Sequence, residues 1–568
     1  MGRQPSALHA AGGGIVAPAA SALLHVPLDV WLLILRHLPA ASYAALSQVC
    51  RRLLHLIDQH AWRVLLLSLY PIISLSSLAP FHREYVEHAK RTRSSRLAAR
   101  SLEWFVCRHA AQLHTSWNEL VLEAQSIDLP AALRAKIPPA GRPRWQRGDF
   151  AIPTLAIGDS WTAVGVRCDL FIAPTPGPTS PPALEARFTL DSRSQPGTML
   201  TPAQGRVAAK TDPWHDITAI RPVDAAASRL VVGYADGSVQ VLAVHSSKSV
   251  EVHKTFASMG RFEIAGVSVF SPEHDEEAWI ASISKRGQLR VHLGAESIAW
   301  QMDEDGTASP TTDTPDSESS RSSTPRSFRS AAFNNAPAEG GVGARAWSVL
   351  LHERWVAVGM TGEKAVYIYP LLRSAGLELG EPMYVGTRQR TSVFALATAP
   401  AHSHIPSWLL FAGFYDGSVR VYDTRSLNQP GRRRREMDAI AVLKEHHPTD
   451  AVYSLAFGGP RAHLLIAGGA RHAQVRVFDI EFLEHYTVPL LDSPGATKPN
   501  TGWTAFALPS TDSPQYAVAA TPTHLLGVTD RKFWWLNFAS PLLTHPRSPP
   551  IAYFGHANPE LLYSSCTL

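Results

Sequence analysis

The side chains able to do chemistry in this chain are numerous, but their spacing does not assemble a reaction centre. Its 25 histidines are scattered. The adjacent pair His446-His447 would point to opposite faces of a strand and make a poor metal clamp, so it reads as a loop pair. The four cysteines, Cys50, Cys107, Cys168 and Cys566, lie far apart without a CxxC pair. Neither a zinc site nor a disulfide framework is expected, and a reducing compartment suits them. No GxSxG elbow, phosphate-binding Gly-Lys loop or HExxH helix occurs. Asp236 and Asp416 invite an acid/base role, but each precedes a glycine, and Asp-Gly is a turn signal first. The expectation is a chain without catalytic residues, metal or cofactor.

Binding chemistry is better represented. Arg432 to Arg435 form an unbroken run, and guanidinium forks grip phosphate or carboxylate oxygens; such runs more commonly form solvated loops, and nuclear import is a further reading. Ser309-Pro310, Thr314-Pro315 and Thr324-Pro325 are weak candidates for proline-directed phosphorylation, which would add charge near Arg321 and Arg326. Arg91, Arg93, Arg96 and Arg100 read as a solvated basic face. With a net charge of only +5, no nucleic-acid partner is expected.

Those residues must be carried by several folded units, because 568 residues exceed what one ordinary core encloses. Apolar residues make up 45% and charged residues 18% of the chain, enough to fold most of it. Its 43 prolines and 37 glycines demand many turns and favour an all-β majority. Residues 1–22 are rich in alanine and glycine and lack the basic start and apolar stretch of an export signal. Val64 to Phe81 carries no charge, but Pro71, Pro80 and several serines make it a helix end and loop, not a membrane span. A cytoplasmic or nuclear location follows as an expectation. Residues 303–343 combine Asp303, Glu304 and Asp305 with serines, threonines and prolines; they bury too little to order themselves and are expected to be a disordered insert. Pro174 to Pro182 reads as an exposed loop.

Residues 23–70 read as three short helices. Pro27 suits a first helical turn, and Asp29 complements the positive end of the helix dipole. Val30, Leu33, Ile34 and Leu38 recur at helical spacing, leaving Trp31, Leu32 and Leu35 off that face, and Pro39 stops the run. After Ser42, a cap candidate, Leu46, Val49, Cys50 and Leu53 form a second stripe, and Trp62, Leu65, Leu66 and Leu69 a third. Apolar residues on more than one face of so small a unit call for a partner or for packing on the next domain.

The order Leu24-His25-Val26-Pro27-Leu28-Asp29-Val30, Ile34-Leu35, Leu38, Leu46-Ser47-Gln48-Val49-Cys50-Arg51-Arg52-Leu53 and Ala61-Trp62-Arg63 resembles an F-box. Val26 stands for the usual Leu, Asp29 for Glu, and Leu53 for a common aromatic. The resemblance implies that Pro27, Leu28, Ile34, Leu35, Leu38, Leu46, Val49, Cys50 and the closing Trp62 lie at or near a surface that docks a Skp-type adaptor and, through it, a cullin. Residues 71–148 would then be a helical spacer, with Leu97, Leu102, Phe105 and Val106 on its buried side.

From 149 to 540 one phrase repeats. Leu230-Val231-Val232-Gly233-Tyr234-Ala235-Asp236-Gly237-Ser238-Val239-Gln240-Val241 nearly recurs as Leu409-Leu410-Phe411-Ala412-Gly413-Phe414-Tyr415-Asp416-Gly417-Ser418-Val419-Arg420-Val421. Each reads as strand, two-residue Asp-Gly turn and strand. Weaker copies begin at Trp279, Trp355 and Leu464, and incoming strands begin at Ile217, Ile264, Ser392 and Val452. Flanking units at Thr154–Ile172 and Trp503–Phe538 bring the count to about seven. Near-duplicates at this spacing indicate a propeller and not a β-sandwich. Val421-Tyr422-Asp423 and Val477-Phe478-Asp479 resemble the Trp-Asp end of WD repeats, though no blade keeps the Trp. Residues 541–568 are expected to be a tail or closing segment.

The expected fold is therefore multidomain: a small all-α F-box-like module and helical spacer, then an all-β propeller of about seven blades. The resemblances imply the substrate-recognition subunit of a Skp–cullin–F-box ubiquitin ligase, itself non-catalytic. Its propeller would bind a protein target, phosphorylated or not, through residues the sequence does not identify. Two alternatives remain: a propeller scaffold acting outside ubiquitylation and, less favoured, a hydrolase at the central channel.

Overall fold

The structure is a computed structural model. In the helical part it describes residues 51–70 and 101–119, with 27, 30–31, 33–34, 38, 42, 45–46, 79, 82–83, 86–87 and 90–91. In the β part it describes 122–129, 152–158, 161–175, 184, 186–203, 213–223, 228–246, 249–256, 262–272, 277–293, 296–302, 308–310, 345–373, 377–401, 403–428, 435–444, 450–471, 473–481, 483, 502–506, 513–539 and 562–564. The chain divides into two compact units, Met1–Gln112 and Leu113–Leu568.

In the first unit, helix α1 (Arg51–Leu56) passes through one π-helical turn (Ile57–Ala61) into α2 (Trp62–Leu69). Leu53, Ile57, Ala61, Trp62, Leu65 and Leu66 are buried. The helical spacing foreseen for Trp62, Leu65 and Leu66 thus marks the inward face. Helix α3 (Leu102–Glu119) starts at Ser101, whose Oγ accepts from the Trp104 N–H at 3.2 Å, an N-cap. The Ser101 N–H in turn donates to Asp58 Oδ2 at 3.2 Å. Val106, Cys107 and Ala110 of α3 are buried, and the Cys107 thiol donates to the Trp62 carbonyl at 3.2 Å. Burial pushes that thiol up to about 12, so it is an inert core group.

Among its described residues the second unit is all-β apart from the end of α3 and short 3-10 turns. Its described strands form six antiparallel sheets, in which most neighbouring strands are consecutive in the chain. Five contain four or five strands, the size of a propeller blade, in place of the seven or so expected; the sixth has seven strands. That larger sheet arises because Trp355–Arg373 and Met383–Ala397 are long strands that run on where separate short ones were expected. The middle strands Trp161–Val166, Trp279–Ser284, Leu409–Phe414 and Leu464–Gly469 are buried along their whole length. A strand buried on both faces needs a sheet packed on each side, which is what neighbouring blades provide. Inner strands touch in turn, Thr154–Ile157, Ile217–Pro222, Ile264–Phe270, Ala346–His352, Met383–Ala397, Val452–Gly458 and Ala517–Ala520, and the last returns to the first. The sheets therefore close into a propeller.

Closure comes from an unforeseen place. Glu123–Asp128, expected within a helical spacer, is a strand that pairs antiparallel with Lys532–Asn537 and completes the last sheet. Trp503 was expected to open the final blade; instead Gly502–Phe506 pairs with Gln474–Asp479 at the outer side of the preceding sheet. From the expected tail, Leu562–Ser564 adds one more strand there. Within the expected disordered insert, Ala308–Pro310 pairs with Trp300–Met302, so Ser309-Pro310 lies in a strand; Thr314 and Thr324 lie outside the described residues.

The end of α3 is anchored inside this unit. Trp117 is fully buried, stacks on Phe538 at 3.8 Å between ring centroids, and donates from Nε1 to the Pro522 carbonyl at 2.9 Å. Trp503 Nε1 donates to the Trp117 carbonyl at 2.9 Å.

Candidate functional site: an apolar helical stripe and an aromatic belt

The first helical residues present their apolar side outward. Val30 and Ile34 are each 40% exposed and Leu33 61%, whereas Trp31 is only 4% exposed. This reverses the expected inward face: the wide indole is buried, and the aliphatic stripe at i, i+3, i+4 is left in solvent. Such spacing places the three side chains on one face, and Pro27 is exposed as well. Leu38 and Leu46 are half-buried. Leu28, Leu35, Val49 and Cys50 lie outside the described residues. Trp62, expected on the docking surface, is 5% exposed and belongs to the core; it closes the α1–α2 packing and does not offer a contact.

In the propeller, five strands in mutual contact carry an irregularity at the same place. The ladder shifts register between Ile217 and Ala219, Ile264 and Gly266, Ala346 and Ser348, Val393 and Ala395, and Val452 and Ser454. A bulge leaves its extra residue unpaired and re-aims its side chain. Those residues are Thr218, Ala265, Trp347, Phe394 and Tyr453. The three aromatics meet across neighbouring strands. Trp347 and Phe394 lie edge to face at 4.9 Å, Phe394 and Tyr453 at 5.0 Å, and Tyr453 and Tyr516 stack at 6.3 Å. Tyr415, in the Asp-Gly turn, is 62% exposed and lies 6.2 Å from Phe394. The Arg345 guanidinium sits 4.1 Å over Trp347. The result is a continuous belt of partly exposed aromatic rings, with a cation at one end. The sequence held its signal: an aromatic near the start of successive strands, in Ala346-Trp347-Ser348-Val349, Val393-Phe394-Ala395-Leu396, Val452-Tyr453-Ser454-Leu455 and Gln515-Tyr516-Ala517-Val518.

The residues singled out for chemistry find structural work. Asp236 Oδ1 accepts from the Ser238 N–H (2.9 Å) and hydroxyl (2.6 Å), and Asp416 Oδ1 repeats this with Ser418 at 3.0 and 2.6 Å. Gly237 and Gly417 have φ of 86° and 76°, the left-handed conformation these turns require. Burial would raise the Asp416 carboxyl, but the Ser418 hydroxyl and N–H and the Arg420 guanidinium outweigh it and hold it below its usual range.

A Ser–His–Asp set does converge, with Ser192 Oγ 2.5 Å from Asp236 Oδ2 and 2.8 Å from His215 Nδ1. Its order differs from a nucleophilic triad, where the histidine stands between serine and acid. Here the serine stands between them and its proton goes to the carboxylate. The set ties the segment before the second sheet to its turn.

The arginines are also engaged. Arg420 reaches Asp416 at 2.9 Å, Arg435 reaches Glu381 at 2.5 Å, and Arg476 is buried against Phe478. Arg432, Arg433 and Arg434 and the pair His446-His447 lie outside the described residues. No described helix is long and apolar enough to cross a membrane.

Comparison with known proteins agrees with the helical reading: the F-box domain family matches residues 23–63. No curated protein matches the chain. Among solved structures, the crystal structure of the Myceliophteria thermophila Cps50 (Swd1) β-propeller domain is similar at 10% identity. It covers 68% of this chain and 96% of that one, with a TM-score of 0.41. The chain is thus an F-box-plus-propeller protein, with its F-box domain at residues 23–63 and an all-β propeller closed by the strand Glu123–Asp128.

Proposed function

We propose that this chain is the substrate-recognition subunit of a Skp–cullin–F-box ubiquitin ligase, acting in the cytoplasm or nucleus. The observation that carries the reading is the solvent-facing stripe Val30, Leu33 and Ile34 within the F-box match. A small helical domain that leaves three aliphatic side chains in water on one face is built to have that face covered. The docking surface we assign comprises Pro27, Leu28, Val30, Leu33, Ile34, Leu35, Leu38, Leu46, Val49 and Cys50, with Trp62 as the core residue that positions it. The Skp-type adaptor bound there would bring in the cullin. The chain forms no bond itself and contributes proximity and orientation to the transfer.

The propeller would hold the protein target, and the aromatic belt of Trp347, Phe394, Tyr415, Tyr453 and Tyr516 is the surface we assign to it. Rigid aromatic side chains supply contact area at low entropic cost. We further infer that the seven-stranded sheet is two blades joined through their long strands. The Leu371 N–H donates to the Arg354 carbonyl at 2.9 Å, as expected if Trp355–Arg373 folds back on itself as a hairpin. With that division the propeller has seven blades.

Co-purification of the full chain from cells tests the reading. Recovery of a Skp-type adaptor and a cullin is expected, together with a target that is lost when Tyr415 and Phe394 are both changed to Ala. Recovery of neither adaptor nor cullin overturns it.

A further inference from the structure

His463 is fully buried, and neither ring nitrogen has a hydrogen-bond partner. Buried polar atoms are almost always satisfied, and an orphaned one requires an explanation. His292 also has two unpartnered nitrogens, but its ring stacks on Phe256 at 3.8 Å, a surrounding that suits a neutral imidazole. Around His463 the surroundings differ, because two carboxylates converge on it. Ligand atoms of His463, Asp479 and Glu481 all lie within 4.8 Å of one another.

The hairpin explains this meeting. Leu464 pairs with Asp479, and the Ile480 N–H donates to the His463 carbonyl at 3.1 Å, so the residue before one strand faces the residues ending the other. The end of α3 adds a second imidazole: the His114 and His463 ring centroids are 5.1 Å apart, and His114 Nδ1 is buried without a partner. Its nitrogens lie outside that cluster, so it borders the site without joining the ligands.

We propose that His463, Asp479 and Glu481 bind a divalent transition ion of the zinc class as its three protein ligands. One imidazole and two carboxylates are a borderline nitrogen–oxygen donor set that suits Zn²⁺ and its neighbours better than Ca²⁺ or Mg²⁺. The surrounding groups fit a second shell, which usually orients metal ligands through their remaining atoms. Arg461 lies 2.6 Å from Glu481 Oε1, leaving Oε2 for the ion, and the Glu481 N–H donates to Asp479 Oδ1 at 3.1 Å. The site would join the two ends of the Leu464–Asp479 hairpin within the propeller unit, as a structural staple. Arg461 opposes the ion by its charge, and the two carboxylates offset it.

The test uses untagged, full-length protein stripped with chelator and titrated with Co²⁺, then Zn²⁺. The expected result is one Co²⁺ per chain with the visible bands of four-coordinate cobalt, displaced by Zn²⁺, and a higher melting temperature with either ion. Glu481→Gln should weaken binding about tenfold or more while leaving the circular dichroism unchanged. His463→Gln should abolish it; should that variant fail to fold, the half-buried Glu481 decides. Absence of bands and of any melting shift overturns the site. So does binding that Glu481→Gln leaves unchanged, since the ion would then sit elsewhere.

Discussion

Ile127 stands opposite Phe533 in the antiparallel ladder that closes the propeller, although they come from opposite ends of its sequence. Phe533 is fully buried, and Ile127 packs against the same apolar cluster. The pair fastens a segment next to the helical part onto the last sheet. Phe533→Ala should cost about 3–5 kcal/mol, as for a large core aromatic. Gln125→Pro, which removes the ladder N–H opposite Trp535 and stiffens the strand, should lower stability by about 1–3 kcal/mol. Urea unfolding of the full chain followed by tryptophan fluorescence gives both values. Gln125→Pro at wild-type stability would mean that the strand does not close the ring.

The Asp-Gly turns make a sharper local prediction. Gly417 has a φ of 76°, so Gly417→Ala should cost about 1–2 kcal/mol, while Gly417→Asn should cost less because asparagine tolerates that conformation. Asp416 is held below its usual range, so it stabilises the fold above the unfolded-state value of 3.8. That contribution is lost as pH falls through the folded value. Thermal melts of Asp416→Asn against the parent at pH 7 and below pH 3 should therefore converge at the acid end.

Buried imidazoles predict a second acid sensitivity at milder pH. Burial first, then Arg290 and Lys254, holds His292 down to about 3, from an ordinary 6.5. The unfolded chain therefore takes up a proton near pH 6.5 that the folded chain refuses until about pH 3. Stability is complete above 6.5 and falls by about 1.4 kcal/mol per pH unit for this one group across that window. His292→Phe keeps the stacking on Phe256 and removes the titration. Stability curves of the two proteins from pH 7.5 to 4.5 should diverge, the variant losing less. Parallel curves would contradict the assignment.

What the sequence revealed tracks how local each feature is. The repeated Asp-Gly phrases appeared in one sequence because a turn writes its requirement into adjacent residues, as Asp416, Gly417 and Ser418 do. The buried positions of α1 and α2 were legible from the spacing of Leu53, Trp62, Leu65 and Leu66. The closing strand was not legible, because Glu123-Ala124-Gln125-Ser126-Ile127-Asp128 is polar and takes its conformation from Lys532–Asn537 far along the chain. Periodicity also located the stripe Val30, Leu33 and Ile34 but not its direction, since spacing alone does not say which face meets a core. The aromatic belt escaped because its members, Trp347, Phe394 and Tyr453, become neighbours only when successive strands stand side by side. The proposed metal ligands escaped for the same reason: His463 meets Asp479 and Glu481 only when the two strands of a hairpin pair.

The central claim is that the outward stripe of the first helix docks an adaptor. The most direct measurement is the Kd of a Skp-type adaptor for the full chain, compared with Leu33→Asp/Ile34→Asp and with Trp62→Ala. The account predicts that the double variant loses binding about 100-fold or more, as for desolvated apolar anchors, with an unchanged melting temperature. Trp62→Ala should instead cost about 3–5 kcal/mol of stability through its lost core contacts. Wild-type affinity in the folded double variant would contradict the account and leave the helical module without a docking role.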